Sequence, residues 1–130
     1  MVAAILIVED DEQVRVLAES ILQGTGYNTL TAATVQEALT LVNGDAVIDV
    51  LFTEIDLDGE SRTHGGLDLA KAAVQRRPHL SLIYTTGNGV TDGMRALFVE
   101  GFAFVSKPYT SQDLVSAVHN TLRVRPLRSA

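Results

Sequence analysis

Acidic residues, hydroxyls and a lysine recur where apolar runs end. Glu9, Asp10 and Asp11 follow Ala4 to Val8, and Glu54 and Asp56 follow Val50-Leu51-Phe52. Thr85 and Thr86 close a third run, and Ser106 and Lys107 a fourth. Carboxylates crowded into a partly dry cleft repel, so their pKa values rise or a cation is held among them. A hard divalent ion such as Mg²⁺ suits oxygen donors of this kind and keeps some of its waters. The Thr86 hydroxyl and the Lys107 ammonium are the right groups to hold phosphoryl oxygens, by hydrogen bond and by point charge. Carboxylate, cation, hydroxyl and lysine together describe phosphoryl transfer to the carboxylate of Glu54. Each residue alone reads as a solvated turn residue; the combination carries the chemistry.

The elements between these residues are expected to bring them together. Ala4 to Val8 reads as a first strand. Asp11 caps a helix whose inward stripe is Val14, Leu17, Ala18, Ile21 and Leu22. Gly24 and Gly26 stop it. Tyr27 to Ala32 reads as a second strand. Thr34 with Glu37 three residues on forms a capping box for a second helix, with Val35, Ala38, Leu39 and Val42 inward and Asn43-Gly44 at its end. The continuous run Val50-Leu51-Phe52 marks a third strand buried on both faces, delivering Glu54. Asp56 to Gly66 is a polar loop. Leu67, Ala70 and Val74 mark a third helix, closed before Pro78. Leu80 to Thr85 is a fourth strand, and Thr86-Gly87-Asn88-Gly89 is turn chemistry. Val90 to Glu100 reads as a fourth helix, weakened by Gly93 at a cost of about 1 kcal/mol against alanine. Phe102 to Val105 is a fifth strand, broken by Lys107-Pro108. Thr110 or Ser111 caps a fifth helix that buries Leu114, Val115, Val118 and Leu122. Five β–α units in strict alternation predict an α/β fold with a doubly wound, five-stranded parallel sheet and five helices. Right-handed crossovers put all strand exits on one rim, with the second strand at an edge.

The chain has 130 residues, suiting one domain, and a mean hydropathy of +0.18 suits a folded core. Ten basic against sixteen acidic residues give a net charge of −6, which argues against a nucleic-acid-binding surface. Arg123, Arg125 and Arg128 near the C-terminus read as a solvated tail with favourable charge at a helix end, where Pro126 stops the helix. There are no cysteines, so disulfides and thiolate metal sites are excluded. The opening MVAAILIVEDD lacks the basic start of a signal peptide and meets acids too early. No run approaches the ~18 apolar residues of a membrane span. A cytoplasmic protein without membrane contact is expected.

These motifs, as a set, resemble the receiver domain of two-component response regulators, the CheY-like family. Ile5-Leu6-Ile7-Val8-Glu9-Asp10-Asp11 is similar to the family's first strand with its acidic pair, matched by Glu9 and Asp10. Asp49-Val50-Leu51-Phe52-Thr53-Glu54 is similar to the strand that ends in the phosphoacceptor. Thr86 matches the switch hydroxyl and Phe104 the switch aromatic. Lys107-Pro108-Tyr109 resembles the Lys-Pro-aromatic motif, whose Lys-Pro peptide is usually cis in the family. The resemblance covers essentially the whole chain. It implies strand order 2-1-3-4-5, a receiver domain over residues 1–125, a short tail at 126–130 and no output domain. It implies Mg²⁺ held by Glu9, Asp10, Glu54 and the backbone carbonyl of Asp56. It also implies input from a histidine kinase or phosphotransfer protein, and output to a downstream protein target through helix 4, strand 5 and helix 5. A stand-alone signalling module, not an enzyme, is the expected function.

The sequence departs from the family in three places. Glu54 stands where the family phosphorylates an aspartate. Its extra methylene, about 1.5 Å of reach, lets it extend toward Thr86 and Lys107 as a phosphoryl mimic, pair with Lys107 alone, or accept phosphate in a shifted geometry. Positional error near 1 Å costs ~10²-fold in rate, so phosphoacceptance at Glu54 is expected to be lost or weakened, and Mg²⁺ binding with it. Asp56 is a substitute acceptor two residues late. The loop Asp56 to Gly66 lacks the family's short proline-containing turn; its Asp56-x-Asp58-Gly59-Glu60 only faintly suggests a calcium loop, and it reads as a surface loop beside the site with His64 solvated. Thr85 precedes Thr86 and Gly87 follows it, which loosens the start of the next helix. Two alternatives share the fold. A Mg²⁺-dependent phosphatase of the haloacid-dehalogenase type needs an Asp-x-Asp pair where this chain has Glu9-x-Asp11. A flavodoxin needs a Ser/Thr/Gly-rich phosphate loop where this chain is acidic.

Overall fold

The computed structural model describes residues 2–57 and 65–124. Five strands and five helices alternate along these residues. They are β1 (Ala4–Val8), α1 (Glu12–Gly24), β2 (Asn28–Ala32), α2 (Val35–Val42), β3 (Val50–Glu54), α3 (Gly65–Arg76), β4 (Ser81–Thr86), α4 (Asp92–Arg95), β5 (Phe102–Ser106) and α5 (Ser111–Arg123). All four strand pairings are parallel, in the order β2-β1-β3-β4-β5. This is the CheY-like, flavodoxin-like winding that the alternation of elements predicts. The sheet's central position belongs to β3, whose five residues are all buried.

Side-chain alternation along the strands divides the core into two layers. Leu6, Val8, Leu51, Leu82 and Tyr84 face α2 and α3, meeting Ala38, Val42, Leu67 and Ala70. Ile5, Ile7, Val50, Phe52 and Ile83 face α1 and α5, meeting Ala18, Leu22, Leu114 and Val118. Apolar runs without alternation are the sign of strands covered on both sides, and both faces are covered.

The helix starts follow their caps. The Asp11 side chain accepts from the Val14 N–H and Thr34 from the Glu37 N–H. The anticipated box at α2 closes differently: Glu37 Oε1 accepts from the Ala33 N–H at 3.1 Å, one residue before the cap. A full reciprocal box forms instead at α5, between Thr110 and Asp113. At the other end of the sheet, Asp49 Oδ2 accepts from the Ala4 N–H at 2.8 Å and ties β1 to the approach of β3. Arg77 closes α2 from outside, donating to the carbonyls of Val42, Ala46 and Gly44 at 3.0, 2.7 and 3.0 Å. These are orphan acceptors at and just beyond a helix C-terminus.

Three expectations need correction. The fourth helix spans Asp92–Arg95, not Val90 to Glu100. Thr91 caps it, so Val90 lies outside, and Gly93 weakens a helix already too short to recover its nucleation cost. Beyond it the chain continues in turns, with the Leu97 N–H on the Met94 carbonyl and Phe98 on Arg95. Phe98 holds that stretch, tilted against Tyr84 and edge-to-face with Phe102, with ring centroids 4.8 Å from each. Leu17 is 54% exposed rather than inward, because Ala18 and Leu22 carry the buried face of α1. The third helix begins at Gly65, two residues earlier than the apolar stripe suggested. Most of the expected loop, including His64 and the Asp58-Gly59-Glu60 run, lies outside the described residues.

Candidate functional site

The exits of β1, β3 and β5 meet on one rim. There the Lys107 ammonium lies 2.5 Å from Glu9 Oε1 and 3.0 Å from Glu54 Oε1. Both carboxylates are almost fully buried, at 3% and 6% exposure. Glu54 also accepts through Oε2 from the Ile55 N–H at 2.8 Å. Among the described residues, Glu9 Oε2 is buried without a hydrogen-bond partner. Burial pushes both carboxyls above the ordinary glutamate range, and the hydrogen bonds and charge of Lys107 offset this only in part. For Lys107, burial acts downward, but its bonds to Glu9 and Glu54 outweigh it and hold the ammonium above its usual pKa. Both remedies for crowded carboxylates are therefore present: raised pKa values and a cation, the cation being the chain's own lysine.

A second cluster forms where β3 and β4 end. Thr86 Oγ1 donates to Asp56 Oδ2 at 3.2 Å, and Asn88 Nδ2 donates to the same oxygen at 2.9 Å. The Asn88 N–H in turn donates to Thr86 Oγ1 at 3.1 Å. Asp56 is 7% exposed and Thr86 2%. Thr85, next door, keeps a buried hydroxyl oxygen without a partner among the described residues. Asp10 is exposed on the rim beside Glu9. Phe104 is half-buried on β5, packed against the core layer that contains Tyr84. The Lys107-Pro108 peptide is cis. Val14, Leu17, Gly87, Lys107, Pro108 and Tyr109 line an apolar groove of about 330 Å³ beside the rim.

The matching region for the response regulator receiver domain covers residues 5–119. The chain belongs to that family. The receiver domain is 25% identical over 125 residues to "Putative response regulator NtrX-like" of Rickettsia bellii, spanning 95% of this chain and 26% of that protein. It is 25% identical over 122 residues to response regulator SaeR of Staphylococcus aureus, spanning 91% of this chain and 50% of that protein. The chain thus spans half or less of the length of these curated relatives. Among solved structures, a CheY-like receiver domain protein from Methanospirillum hungatei superposes with a TM-score of 0.84 at 26% identity over 95% of both chains. NtrX from Brucella abortus does so at 0.81 and 28%, over 95% of this chain and 27% of that one. Among the described residues, no helix is long and apolar enough to cross a membrane.

Receiver domains generally bind Mg²⁺ at their acidic site, and the donor chemistry of Glu9, Asp10 and Glu54 is of the right kind. Their placement is not. Glu9 and Glu54 each commit an oxygen to Lys107, and among the described residues no three acidic or histidine side chains converge on one point. The side chains as arranged do not fit a divalent ion. The Asp56 side chain, read from the sequence as a substitute acceptor, turns a buried carboxylate onto Thr86 and Asn88. Asp11, which the phosphatase alternative would require, is exposed and occupied in capping α1. Asn88 was legible only as a turn residue; its donation to Asp56 depends on a loop conformation that spacing does not report.

Proposed function

We propose that this receiver domain takes part in two-component signalling by protein–protein contact, and that phosphoryl acceptance at Glu54 is lost or strongly weakened. The input in the family is a histidine kinase or phosphotransfer protein, and the output is a downstream protein. The observation that carries the reading is the setting of the Glu54 carboxylate, spanned between the Lys107 ammonium at 3.0 Å and the Ile55 N–H at 2.8 Å. Both of its oxygens are engaged inward. Attack on a phosphodonor requires a carboxylate oxygen held in line with the leaving group, and displacement from that geometry by the longer glutamate side chain is costly in rate. In this reading Thr86 and Phe104 are the residues through which the site communicates with α4, β5 and α5. Lys107 serves as the counter-charge to the two buried glutamates.

The test compares the parent with Glu54→Asp, each incubated with acetyl phosphate and Mg²⁺ and analysed by intact mass. The shorter aspartate withdraws from Lys107 and frees an oxygen. Glu54→Asp is expected to gain one phosphoryl group while the parent stays unmodified. Stoichiometric phosphorylation of the parent at Glu54 would overturn the reading.

A further inference from the structure

The Asp56 carboxylate is nearly buried, and a buried carboxylate is costly unless donors satisfy it. Both donors described for its Oδ2 come from one short stretch, Thr86 at the last position of β4 and Asn88 two residues on. With the Asn88 N–H donating to Thr86 Oγ1, the three residues close a ring: amide to hydroxyl, hydroxyl to carboxylate, side-chain amide to the same carboxylate. A hydroxyl has one proton to give, so while Thr86 donates to Asp56 it donates to nothing else. The chain just beyond this ring is weakly organised by its own sequence. Gly87 and Gly89 flank Asn88, and α4 is four residues long.

We propose that Asp56 is a positioning residue that locks the Thr86 hydroxyl and the β4–α4 connection in one arrangement without covalent modification. The lock rests on charge-assisted hydrogen bonds, the stronger kind. It acts through Thr86, and any group arriving at Glu54 must compete with Asp56 for that hydroxyl. The proposal deepens the receiver reading but does not depend on whether Glu54 accepts phosphate.

Solution NMR of the full chain, without phosphodonor or metal, tests it. In the parent, three-bond couplings to the Thr86 methyl carbon should report one χ1 rotamer, and the Asn88 amide should be protected from solvent exchange. In Asp56→Ala, the Thr86 couplings should average, and Asn88 exchange should accelerate about fivefold or more. The Ile55 amide, bonded to the Thr85 carbonyl at 2.9 Å, should change far less. Asp56→Asn, which keeps a side-chain acceptor, should restore most of the Thr86 rotamer preference. A folded Asp56→Ala protein with an unchanged Thr86 rotamer would overturn the proposal, as would equal acceleration at Asn88 and Ile55. Should Asp56→Ala fail to fold, Asn88→Ala at an exposed position removes one side of the ring. There the backbone amide of residue 88, corrected for its intrinsic rate, should exchange faster once the tie to Asp56 is lost, which supports the lock on the connection; unchanged exchange defeats it.

Discussion

Lys107 and the two glutamates set one another's charge state. Two buried carboxylates share one ammonium, so the site tolerates the loss of the lysine poorly. Lys107→Met leaves Glu9 and Glu54 buried without a counter-charge, a change that costs several kcal/mol in buried pairs. Because the Lys107 side chain retains 21% exposure, about 2 kcal/mol is expected at pH 8. The sign with pH comes from the carboxyls. Their folded pKa values lie above the ordinary 4.5, so the folded state binds more protons, and their contribution to stability, full below pH 4.5, is lost as pH rises through the raised values. Removing Lys107 raises them further. The cost measured by urea unfolding should therefore be clearly smaller at pH 5 than at pH 8; equal costs would show that the lysine acts by packing alone. At this scale the sequence was partly informative. It named Glu9, Glu54, Thr86 and Lys107 from their places at strand ends. It left open which way Glu54 turns, and the contacts place it on Lys107 and Ile55, with Thr86 given to Asp56.

The elements show where local pattern is a sufficient guide and where it is not. α1, α2 and α5 begin at residues whose side chains cap them, and those caps are written in the sequence. The fourth helix failed because an apolar pattern over Val90 to Glu100 counts residues but not the aromatic partners that draw Phe98 toward Tyr84 and Phe102. The Tyr84 hydroxyl also accepts from the Val99 N–H at 3.1 Å, so a buried strand side chain supplies what a helix would have supplied internally. The start of α3 is decided by a close approach. A Cβ on Gly66 would lie 1.9 Å from the Glu54 carbonyl oxygen and 2.8 Å from Ile55 Cα, all backbone. The Gly66 N–H bonds the Ile55 carbonyl at 2.8 Å, so helix and strand end cannot separate without losing that bond. Gly66→Ala is expected to destabilise the fold by about 2–3 kcal/mol, read as a lower urea midpoint. It should also displace Glu54 from Lys107, since the clash falls on the strand residue that carries it.

For the whole molecule, the doubly wound sheet brings β1, β3 and β5 exits to one rim and sets Tyr109 beside them. Burial, and then the nearby Glu9 charge, push the Tyr109 phenol up to about 12. Its contribution to stability is present below pH 10 and is lost as pH rises from 10 through about 12. Difference absorbance at 295 nm between the parent and Tyr109→Phe should isolate one phenol titrating near pH 12; titration near 10 would place Tyr109 in open water. Strict alternation of apolar runs with capped helical stripes was enough to determine a parallel five-stranded sheet, because short-range period and capping are local properties. The same alternation predicted which residues reach the rim, since right-handed crossovers leave little choice of side. The partners chosen on that rim were decided only in three dimensions. Glu9 and Lys107 are 98 residues apart in the chain, and Asp56 and Asn88 are 32 apart. Whether such groups meet at 2.5 or 2.9 Å depends on strand register, the Gly66 contact and the loop after β4. Sequence determined the set of charged and hydroxyl groups on this receiver domain's rim; tertiary packing determined that its lysine holds two glutamates and its aspartate holds the threonine.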